Sequence, residues 1–500
     1  MPEPAELTGG KPVAGRADSR GPPVWAQTWR MRTRPAAVLA PPALLALCLL
    51  AGCSAASSSD GTVAPASSRA TTGQPAPAGS PPTPGGHDWT TYHRDAARTG
   101  VAPARPAAGP LSIAWRRRLD GAVYGQPLVA GGLVIAATEG DTVYGLDRAT
   151  GKVRWHVHLG TPVPLSALPC GNIDPLGITG TPVYDPGSRM VYAVAETTGF
   201  HHVLAGIAVP SGKLVFRRDV PTPDGHPRYD QQRAALLLNR GRVYVAFGGL
   251  FGDCGPYQGS INGIPASGRG PIVTYKVPTA REAGMWAAGG PVAGPDGTVY
   301  VSAGNGAALG PPYDGSDSVT ALTPALRRTG IFAPSTWPAD NASDLDLGST
   351  SPGLLGNGMM LAVGKSGTGY LLNSRHLTGV GSQVAKAPVC TAFGGMATSG
   401  TVVYVPCISG GMAAVDTSGN RIRVLWRGPA PAEGSPVLGG GAVWVPDWNA
   451  GVLYQLDPGT GHVRQLIRLG SPLPHFASPS LSGPLALIGT MSGVVAVRGV

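Results

Sequence analysis

Short runs of apolar and β-branched residues, separated by turn residues, fill the chain from about residue 110 onward. Residues 191–194 and 299–302 are typical of these runs, and small turn pairs such as Thr150-Gly151 stand between neighbouring runs. Short runs of this composition, bounded by turns, predict β-strands, and no stretch shows a convincing helical period. The pattern therefore predicts an all-β fold.

One phrase recurs eight times along these runs: a small residue, then usually proline, then an apolar pair. It is clearest at Gln126-Pro127-Leu128-Val129, and the second residues of the eight copies stand 40 to 61 residues apart, the later ones being Pro182, Ala235, Pro291, Pro352, Met396, Pro436 and Pro479. Internal repeats of this size indicate a propeller or a solenoid. Because four strand-like runs follow most copies, we predict an eight-bladed β-propeller of four-stranded antiparallel blades. Seven blades is the alternative, if the irregular fifth unit is not a blade.

The last repeat predicts how the ring closes. From about Pro474 onward the chain contains only three strand-like runs, whereas residues 111–116 look like a fourth strand with no three before it. A propeller leaves no free sheet edge when its first and last segments share one blade. We therefore predict that this N-terminal strand completes the last blade.

The region before the repeats divides into three stretches. Residues 1–30 show no targeting pattern, which fits a misassigned start with Met31 as the true first residue. Residues 31–52 have a basic beginning and an apolar stretch at 36–50, too short to span a membrane and typical of a signal peptide. The motif Leu50-Ala51-Gly52-Cys53 resembles a bacterial lipobox, which implies that Cys53 is lipidated. An ordinary secretory signal is the alternative.

Composition and charge narrow the remaining possibilities. Residues 53–86 consist mainly of Ser, Ala, Thr, Pro and Gly, so we predict a disordered tether before a propeller at 87–500. The net charge is +10, yet the longest basic run is Arg116-Arg117-Arg118, which is typical of a solvated strand end. We therefore expect an extracytoplasmic protein that is lipid-anchored to the bacterial cell membrane and binds no nucleic acid.

The cysteines predict two disulfides. Two of the six lie in the predicted signal or its lipobox, which leaves an even number in an oxidising compartment. Cys390 and Cys407 flank glycine-containing turns within one repeat, a spacing that suits neighbouring strands, so we predict a disulfide between them. Cys170 and Cys254 would then cross-link adjacent repeats.

Two motifs resemble the quinoprotein, or pyrroloquinoline quinone (PQQ), propeller family. One is Tyr144-Gly145-Leu146-Asp147 followed by Thr150-Gly151-Lys152-Val153-Arg154-Trp155; the other is Asp88-Trp89-Thr90-Thr91-Tyr92-His93-Arg94-Asp95 followed by Ala114-Trp115. The resemblance covers about 87–500 and implies the propeller fold. The family includes quinoprotein alcohol dehydrogenases and non-catalytic members, such as the outer-membrane assembly propeller lipoprotein. The resemblance therefore implies either redox chemistry or a binding role.

In the dehydrogenases, PQQ and a calcium ion lie over the central channel. Local motifs indicate which residues of this chain resemble the residues that contact them there. Glu196 and Asn305 resemble the calcium ligands, Asp317 the catalytic base, Trp286 the floor beneath the quinone, and Lys365 the cation that contacts it. Calcium prefers several hard oxygen ligands, an aspartate can take the alcohol proton as hydride leaves, and a flat indole suits a flat cofactor. These five residues are the site that the resemblance implies.

The chain also departs from the dehydrogenases. It contains no adjacent Cys-Cys pair to form a lid over the quinone, and no Cys-x-x-Cys-His haem motif. Residues 230–233, before the third inner strand, line the channel or form a structural network. We therefore favour a scaffold whose channel face binds a protein, glycan or small molecule. The alternative is a calcium- and PQQ-dependent alcohol or sugar dehydrogenase.

Overall fold

The computed structural model describes residues 87–102, 106–408 and 410–499, and its strands form eight separate sheets around a central channel. Each sheet is built on four antiparallel strands in simple order, and the innermost strands of neighbouring sheets contact each other. The eight-bladed prediction is confirmed. The seven-blade alternative is excluded because the fifth unit forms a complete sheet. The stretches at 1–30, 31–52 and 53–86, with Cys53, lie outside the described residues.

Within each blade we name the strands a to d from the channel outward. Blades 1 to 4 comprise Leu128–Ala130, Leu133–Ala137, Thr142–Asp147 and Val153–His158; Val183–Asp185, Met190–Thr197, His201–Ala208 and Lys213–Asp219; Leu237–Asn239, Arg242–Gly249, Ser260–Pro265 and Val273–Lys276; Val292–Ala293, Val299–Ala303, Ser318–Leu322 and Arg328–Ala333. Blades 5 to 8 comprise Gly353–Leu354, Met359–Val363, Thr368–Asn373 and Ala385–Pro388; Ala397–Ser399, Val402–Cys407, Gly411–Asp416 and Arg423–Arg427; Val437–Gly439, Ala442–Asp447, Val452–Leu456 and Val463–Arg468; Ser480–Ser482, Leu485–Thr490, Gly493–Arg498 and Ser112–Arg118.

A few elements lie outside this plan. Val101–Ala102 runs parallel to strand a of blade 7, Asp230–Gln231 pairs with strand b of blade 3, and Thr378–Val380 runs parallel to strand d of blade 4. Among the described residues, the helices are one α-helix at Trp337–Ala342 and three short 3₁₀ turns at Leu165–Ala167, Leu347–Ser349 and Ser418–Asn420. In the described ranges no helix is long and apolar enough to cross a membrane.

Blade 8 contains the seam of the ring. Ser112–Arg118 pairs antiparallel with Gly493–Arg498, and the register runs from Ser112 opposite Arg498 to Arg118 opposite Gly493. The predicted closure is therefore confirmed. It leaves neither end of the repeat array with an open sheet edge, which is how a ring avoids edge-to-edge association.

Adjacent blades are joined by aromatic side chains that reach from strand d onto a turn of the next blade. The indole N–H of Trp155 in blade 1 donates to the carbonyl of Val209 in blade 2 at 2.8 Å. The ring lies against Gly212, whose φ is +69°, and a Cβ there would come within 2.6 Å of the indole. Glycine is therefore required at this turn by both its backbone conformation and the close ring. Trp115 and Trp426 repeat the arrangement on Gly151 and Gly461.

Residues 88–102 lie inside the channel; we call them the channel segment. Trp89 pairs with Val129 of blade 1, and the carbonyl of Gly100 accepts a hydrogen bond from Leu438 of blade 7 at 2.8 Å. Arg98 is buried and donates to the carbonyl of Leu236 in blade 3 at 2.8 Å. The segment therefore bonds to inner strands on several sides of the ring and fills the channel with protein.

His93 holds the middle of the channel segment in place through hydrogen bonds at both ring nitrogens. It is fully buried, with Nδ1 3.0 Å from the carbonyl of Met396 and Nε2 3.0 Å from the hydroxyl of Ser478. Burial lowers the pKa of His93 to about 3, so the imidazole is neutral at physiological pH. Because a carbonyl can only accept, Nδ1 carries the proton and Nε2 accepts from Ser478.

Candidate functional site

All predicted site residues lie near one end of the blades. Strand a begins, strand b ends and strand c begins at this end, because neighbouring strands run antiparallel. Trp286 precedes strand a of blade 4, Asn305 follows its strand b and Asp317 precedes its strand c. Glu196 and Lys365 lie at the corresponding ends of strand b in blades 2 and 5. We call this opening of the channel the channel mouth.

Four of the five predicted residues share a neighbourhood around Asp346. The backbone N–H of Asn305 donates to Asp346 Oδ1 at 2.5 Å, and Lys365 Nζ lies 2.6 Å from Asp346 Oδ2. Lys365 Nζ also lies 5.7 Å from the centroid of the Trp286 ring. The charge of Asp346 acts on Asp317. The structure therefore brings Trp286, Asn305, Asp317 and Lys365 to the junction of blades 4 and 5.

Asp317 is buried with one free oxygen. Oδ1 accepts a hydrogen bond from the backbone N–H of Leu347 at 3.0 Å, and no atom of the described chain pairs with Oδ2. Burial raises the pKa of Asp317 well above its ordinary value, the nearby negative charge of Asp346 adds to this, and the bond from Leu347 opposes it. The environment therefore favours the neutral, protonated acid.

Lys365 is held between two carboxylates. Its Nζ lies 2.6 Å from both Asp344 Oδ1 and Asp346 Oδ2, and the Asp346 side chain is only 5% exposed. Burial alone would lower the pKa of Lys365, but the charges of Asp346 and Asp344 outweigh it and raise the pKa above its ordinary value. The cation that resembles a quinone contact is therefore paired with carboxylates of its own chain.

Glu196 has different neighbours, on the mouth side of blades 1 to 3. Its Oε1 lies 3.5 Å from Nε2 of the buried His202, and its Oε2 lies 3.5 Å from the backbone nitrogen of Gln232. Three further buried carboxyl groups interact electrostatically with it, those of Glu139, Asp141 and Asp230. Glu196 and Asn305, the two predicted calcium ligands, therefore belong to separate polar groups.

The carboxyl groups beside Glu196 have few hydrogen-bond donors. Glu139 Oε2 accepts from the backbone N–H of Gly177 at 2.7 Å, whereas both oxygens of Asp141 and of Asp230 lack a partner among the described residues. Burial is the main cause that raises the pKa of Glu139 to about 8, of Asp141 to about 9 and of Asp230 to about 10, and neighbouring carboxylates raise each further. These acids therefore carry protons at neutral pH.

These contacts can be compared with what calcium and PQQ, the cofactors implied by the resemblance, would require. Calcium requires several oxygens that converge on one point. Within the ranges described, no three His, Cys, Asp or Glu side chains are grouped so that they could hold a metal ion. The flat ring of Trp286 beside Lys365 suits a planar anion, but Glu196 and Asn305 do not share a polar neighbour. The roles of Glu196, Asn305, Asp317, Trp286 and Lys365 stay predictions.

Aromatic side chains surround the channel mouth; we call them the mouth aromatics. They come from the inner ends of blades 1, 4, 6, 7 and 8 and are Tyr124, Trp286, Phe393, Trp448, His475 and Phe476. Phe393 and Phe476 stack at 5.7 Å, and the Trp286 ring lies 6.1 Å and 6.3 Å from them. His475 lies 4.3 Å from Trp448. The mouth therefore presents one connected aromatic surface above the channel segment.

Arg233 extends this surface toward blade 1. Its guanidinium carbon lies 5.4 Å from the Phe476 ring centre and 5.8 Å from that of Tyr124, and Nη2 donates to the carbonyl of His475 at 3.1 Å. Burial lowers the pKa of Arg233 below its ordinary value. Within residues 230–233, expected to line the channel or form a structural network, Arg233 contacts the mouth aromatics and Asp230 belongs to the buried acids.

Both predicted disulfides are present. Cys390 bonds to Cys407 between blades 5 and 6, and Cys170 bonds to Cys254 across loops 159–178 and 249–258. We call these two loops the cap. Leu176 and Leu250 pack together within it, and Gly177 at its end donates to Glu139. The Cys170–Cys254 bond therefore joins the loops that border the buried acids of blades 1 to 3.

The sequence contained a signal for the mouth aromatics that the motif comparison missed. Tyr124, Phe393 and Phe476 each stand three residues before the second residue of a repeat phrase. The phrase leads into strand a, so this repeat position lies at the channel-mouth end of its blade. An aromatic at that position in three copies marks a shared surface.

The comparisons with known proteins agree with the fold. A family model described as "Outer membrane protein assembly factor BamB" matches residues 98–249. Among solved structures, quinohemoprotein alcohol dehydrogenase from Comamonas testosteroni is 15% identical, with a TM-score of 0.64, and the match covers 82% of this chain and 80% of that one. A comparison with curated protein sequences finds no match.

Two further structures broaden the likeness. BamB from Moraxella catarrhalis is 17% identical, with a TM-score of 0.56 over 78% of this chain and 100% of that one. A europium-containing methanol dehydrogenase is 15% identical, with a TM-score of 0.62 over 83% and 99%. At these identities the likeness shows the fold alone. The resemblance to quinoprotein-type propellers is thereby confirmed for fold and repeat.

Proposed function

We propose that this chain is an extracytoplasmic binding propeller that holds a segment of a partner protein at the channel mouth. The observation that carries the proposal is the connected cluster of mouth aromatics contributed by five blades. Phe393 and Trp448 are its buried members, and the other four rings are half-buried at the mouth. Aromatic side chains offer large contact areas at low entropic cost, and they are enriched where proteins bind partners. The channel segment closes the channel beneath them, so a ligand would lie on the mouth.

The charged residues at the mouth support binding rather than redox chemistry. Lys365 is satisfied by Asp344 and Asp346, and Asp346 also accepts the backbone N–H of Asn305. A quinone would compete with these contacts. The match of residues 98–249 to the BamB family model supports the same reading, as does the full-length coverage of the BamB structure.

A calcium- and PQQ-dependent dehydrogenase is the second candidate. The observation in its favour is the convergence of Trp286, Asn305, Asp317 and Lys365, with Asp317 Oδ2 buried and unpartnered. Trp286 and Lys365 would contact the quinone, but the predicted calcium ligands Glu196 and Asn305 lie in separate polar groups. PQQ would supply hydride acceptance when bound. Asp317 would have to lose its proton before it could act as a base.

The first experiment separates the two candidates. Purified protein is titrated with PQQ and calcium chloride, followed by quinone absorbance and by dye reduction with alcohols and sugars. A binding propeller shows neither signal at micromolar PQQ. Saturable quinone absorbance that is lost in Glu196→Gln would instead establish the dehydrogenase.

The second experiment tests the mouth directly. A phage-displayed random peptide library is panned on the protein, and the enriched peptides are measured against Phe476→Ala and Trp286→Ala. Loss of one aromatic contact is expected to weaken binding at least tenfold, which is on the order of a hot-spot residue. Leu466→Ala, on the outer strand of blade 7, is the matched control. Peptides that bind all three variants equally would reject the mouth as the site.

The location is a separate part of the proposal. We propose export followed by lipidation at Cys53, and the two disulfides support an oxidising compartment. Metabolic labelling with a fatty acid in the native host tests the anchor. Label that persists in Cys53→Ser would exclude it.

A further inference from the structure

Basic residues are concentrated on the outer strands of five consecutive blades, 6, 7, 8, 1 and 2. These d strands contain Arg423, Arg427, Arg464, Arg468, Arg116, Arg117, Arg118, Arg154, Lys213, Arg217 and Arg218. The one acidic residue on them is Asp219, at the end of blade 2. The d strands of blades 3, 4 and 5 carry one basic residue each. We call the five basic d strands the basic wall.

The basic wall also exposes large apolar side chains. Five of them are between 42% and 54% exposed: Val153, Val215, Leu425, Val463 and Leu466. In Arg423–Arg427 the exposed positions alternate with half-buried ones, so Arg423, Leu425 and Arg427 all face outward. The fully described d strands of blades 3 to 5 contribute no such exposed apolar residue. The wall therefore combines basic and apolar side chains. The outer edge of blades 4 and 5 also exposes Val380 and Val384, but each d strand there carries only one basic residue.

Contacts within the chain do not cancel the charge of the wall. Arg154, Arg423 and Arg464 pair with aspartates of neighbouring turns, but these arginines are 61%, 72% and 38% exposed. Exposed pairs of this kind are weak and open to competition. Arg116 and Arg427 donate to the carbonyls of Leu469 and Val389. A carbonyl fixes the side chain and leaves its positive charge available.

We propose that the basic wall docks the propeller sideways on an anionic phospholipid surface. Arginine and lysine attract the phosphates of anionic lipids, and exposed aliphatic side chains enter the headgroup layer beside them. Ten of the eleven basic residues are arginines, whose forked donors suit phosphate oxygens. The near absence of acids on the wall favours an anionic partner, and the apolar residues between the arginines favour a bilayer over a soluble polyanion.

The position of His87 agrees with this orientation. The carbonyl of His87, the first described residue, accepts a hydrogen bond from Ser482 in strand a of blade 8. Blade 8 is the middle blade of the wall. His87 is therefore attached to the same sector of the ring, through its innermost strand. The proposal does not require the lipid at Cys53, and it would leave the channel mouth facing sideways and free.

The test measures co-sedimentation with vesicles. The chain from residue 53 onward, carrying Cys53→Ser so that no lipid is attached, is mixed with vesicles of pure phosphatidylcholine or with about 30% phosphatidylglycerol. We expect binding to the anionic vesicles alone, and a decline as salt rises. Each basic residue at such a surface is worth about fivefold in affinity.

Two matched triple variants locate the binding surface. The wall variant carries Arg118→Gln, Arg468→Gln and Lys213→Gln, and the control carries Lys276→Gln, Arg328→Gln and Lys386→Gln; all six side chains are exposed. Both lower the net charge equally. The wall variant is expected to lose at least tenfold in vesicle affinity, and the control less than twofold, with unchanged circular dichroism and thermal midpoints.

Four outcomes would overturn the proposal. Equal losses in both variants would mean that net charge, and not the wall, drives binding. Equal binding to neutral vesicles would remove the role of lipid phosphate. Binding to soluble polyphosphate without binding to vesicles would make the partner a polymer. An unchanged affinity in Leu425→Ser with Leu466→Ser would remove the apolar contribution.

Discussion

Two groups of carboxyl groups face the same channel mouth and differ in whether a cation pairs with them. At blades 4 and 5, Lys365 stands 2.6 Å from the carboxylates of Asp344 and Asp346. At blades 1 to 3, the carboxyl groups of Asp141 and Asp230 have no cation or donor within hydrogen-bond distance in the described chain. In the first group a lysine pairs with the carboxyl groups, whereas in the second group burial without a partner raises the pKa of Asp141 and of Asp230.

The difference shows that the position of a residue at the end of a strand does not by itself determine its partners or its pKa. Glu196 and Asn305 both lie at the channel-mouth end of strand b in their blades, yet Glu196 lies beside other acids and Asn305 lies beside a paired aspartate. A nearby cation lowers the pKa of a carboxyl group, whereas a carboxyl group buried without one keeps its proton to higher pH. The chemistry of each group therefore depends on which residue the adjacent blade contributes.

Replacing Lys365 should lower the stability of the folded protein. In Lys365→Met, Asp346 stays buried without its partner, and we expect a loss of about 3 to 5 kcal/mol in the free energy of unfolding. Urea denaturation at pH 7 measures it. Lys386→Met, on the exposed outer strand of blade 5, should change stability by less than about 0.5 kcal/mol. Similar values for both variants would mean that the ion pair contributes nothing.

Removing the disulfide of the cap should destabilise the protein and let water reach the unpaired acids of blades 1 to 3. Cys170 and Cys254 are 84 residues apart in sequence, and Cys170→Ser with Cys254→Ser is expected to lower stability by about 2 to 4 kcal/mol. Because water would reach the acids of blades 1 to 3, the pH dependence of unfolding should also become shallower.

The second disulfide is the control for that experiment. Cys390→Ser with Cys407→Ser, 17 residues apart, should lower stability without changing the pH dependence. An identical pH dependence in both double variants would show that the cap does not shield the acids.

The unpaired group should make the protein less stable as pH rises. Asp230 has a pKa of about 10 when folded and an ordinary value when unfolded, so its stabilising contribution is complete below about pH 4 and is lost as pH rises toward 10. Asp230→Asn should remove about 1.4 kcal/mol per pH unit from the slope of stability between pH 5 and 8.

Asp416 provides the matched control with the opposite sign. Its pKa is lowered, chiefly by its hydrogen bond from Ser418, so its contribution is present above the ordinary pKa and lost only as pH falls below it. Asp416→Asn should therefore leave the slope between pH 5 and 8 unchanged. A slope that Asp230→Asn does not alter would mean that Asp230 is ionised in the folded protein.

The smallest effect is expected at Asp317, which lies near Asp346 and Lys365 but is itself expected to be neutral. Asparagine keeps the oxygen that accepts from Leu347, and Asp317 Oδ2 has no partner to lose. We expect Asp317→Asn to change the unfolding free energy by less than about 1 kcal/mol. A loss several times larger would show that Asp317 is an anion that Lys365 stabilises.

The ring could be predicted from sequence because its signals are local and repeated. The phrase at Gln126-Pro127 marks the start of an inner strand in each blade, and the lone strand near Trp115 indicated the seam. The cysteine pairs followed from their position in the repeats. Each of these inferences needs only the order of strands along the chain.

The site could be predicted less fully because it depends on contacts across the ring. The sequence placed Lys365 and Asp317 at strand ends, but Asp346 joins them through the register of two blades. Gly304 permits this, since a Cβ there would collide with Asp346. Neither His202 opposite Glu196 nor the filling of the channel by residues 88–102 has a signature in a single repeat.

The seam has a consequence for how the protein folds during and after its synthesis. Strand d of blade 8 is made near the beginning of the propeller, and its partner, Gly493–Arg498, is made at the end. Contacts so distant in sequence form late, because the intervening chain must first be brought into a loop. Until the ribosome has supplied the last blade, the first strand has no partner and the ring stays open. A chain cut short by early termination or proteolysis would expose two unpaired edges, which mark it for quality-control proteases.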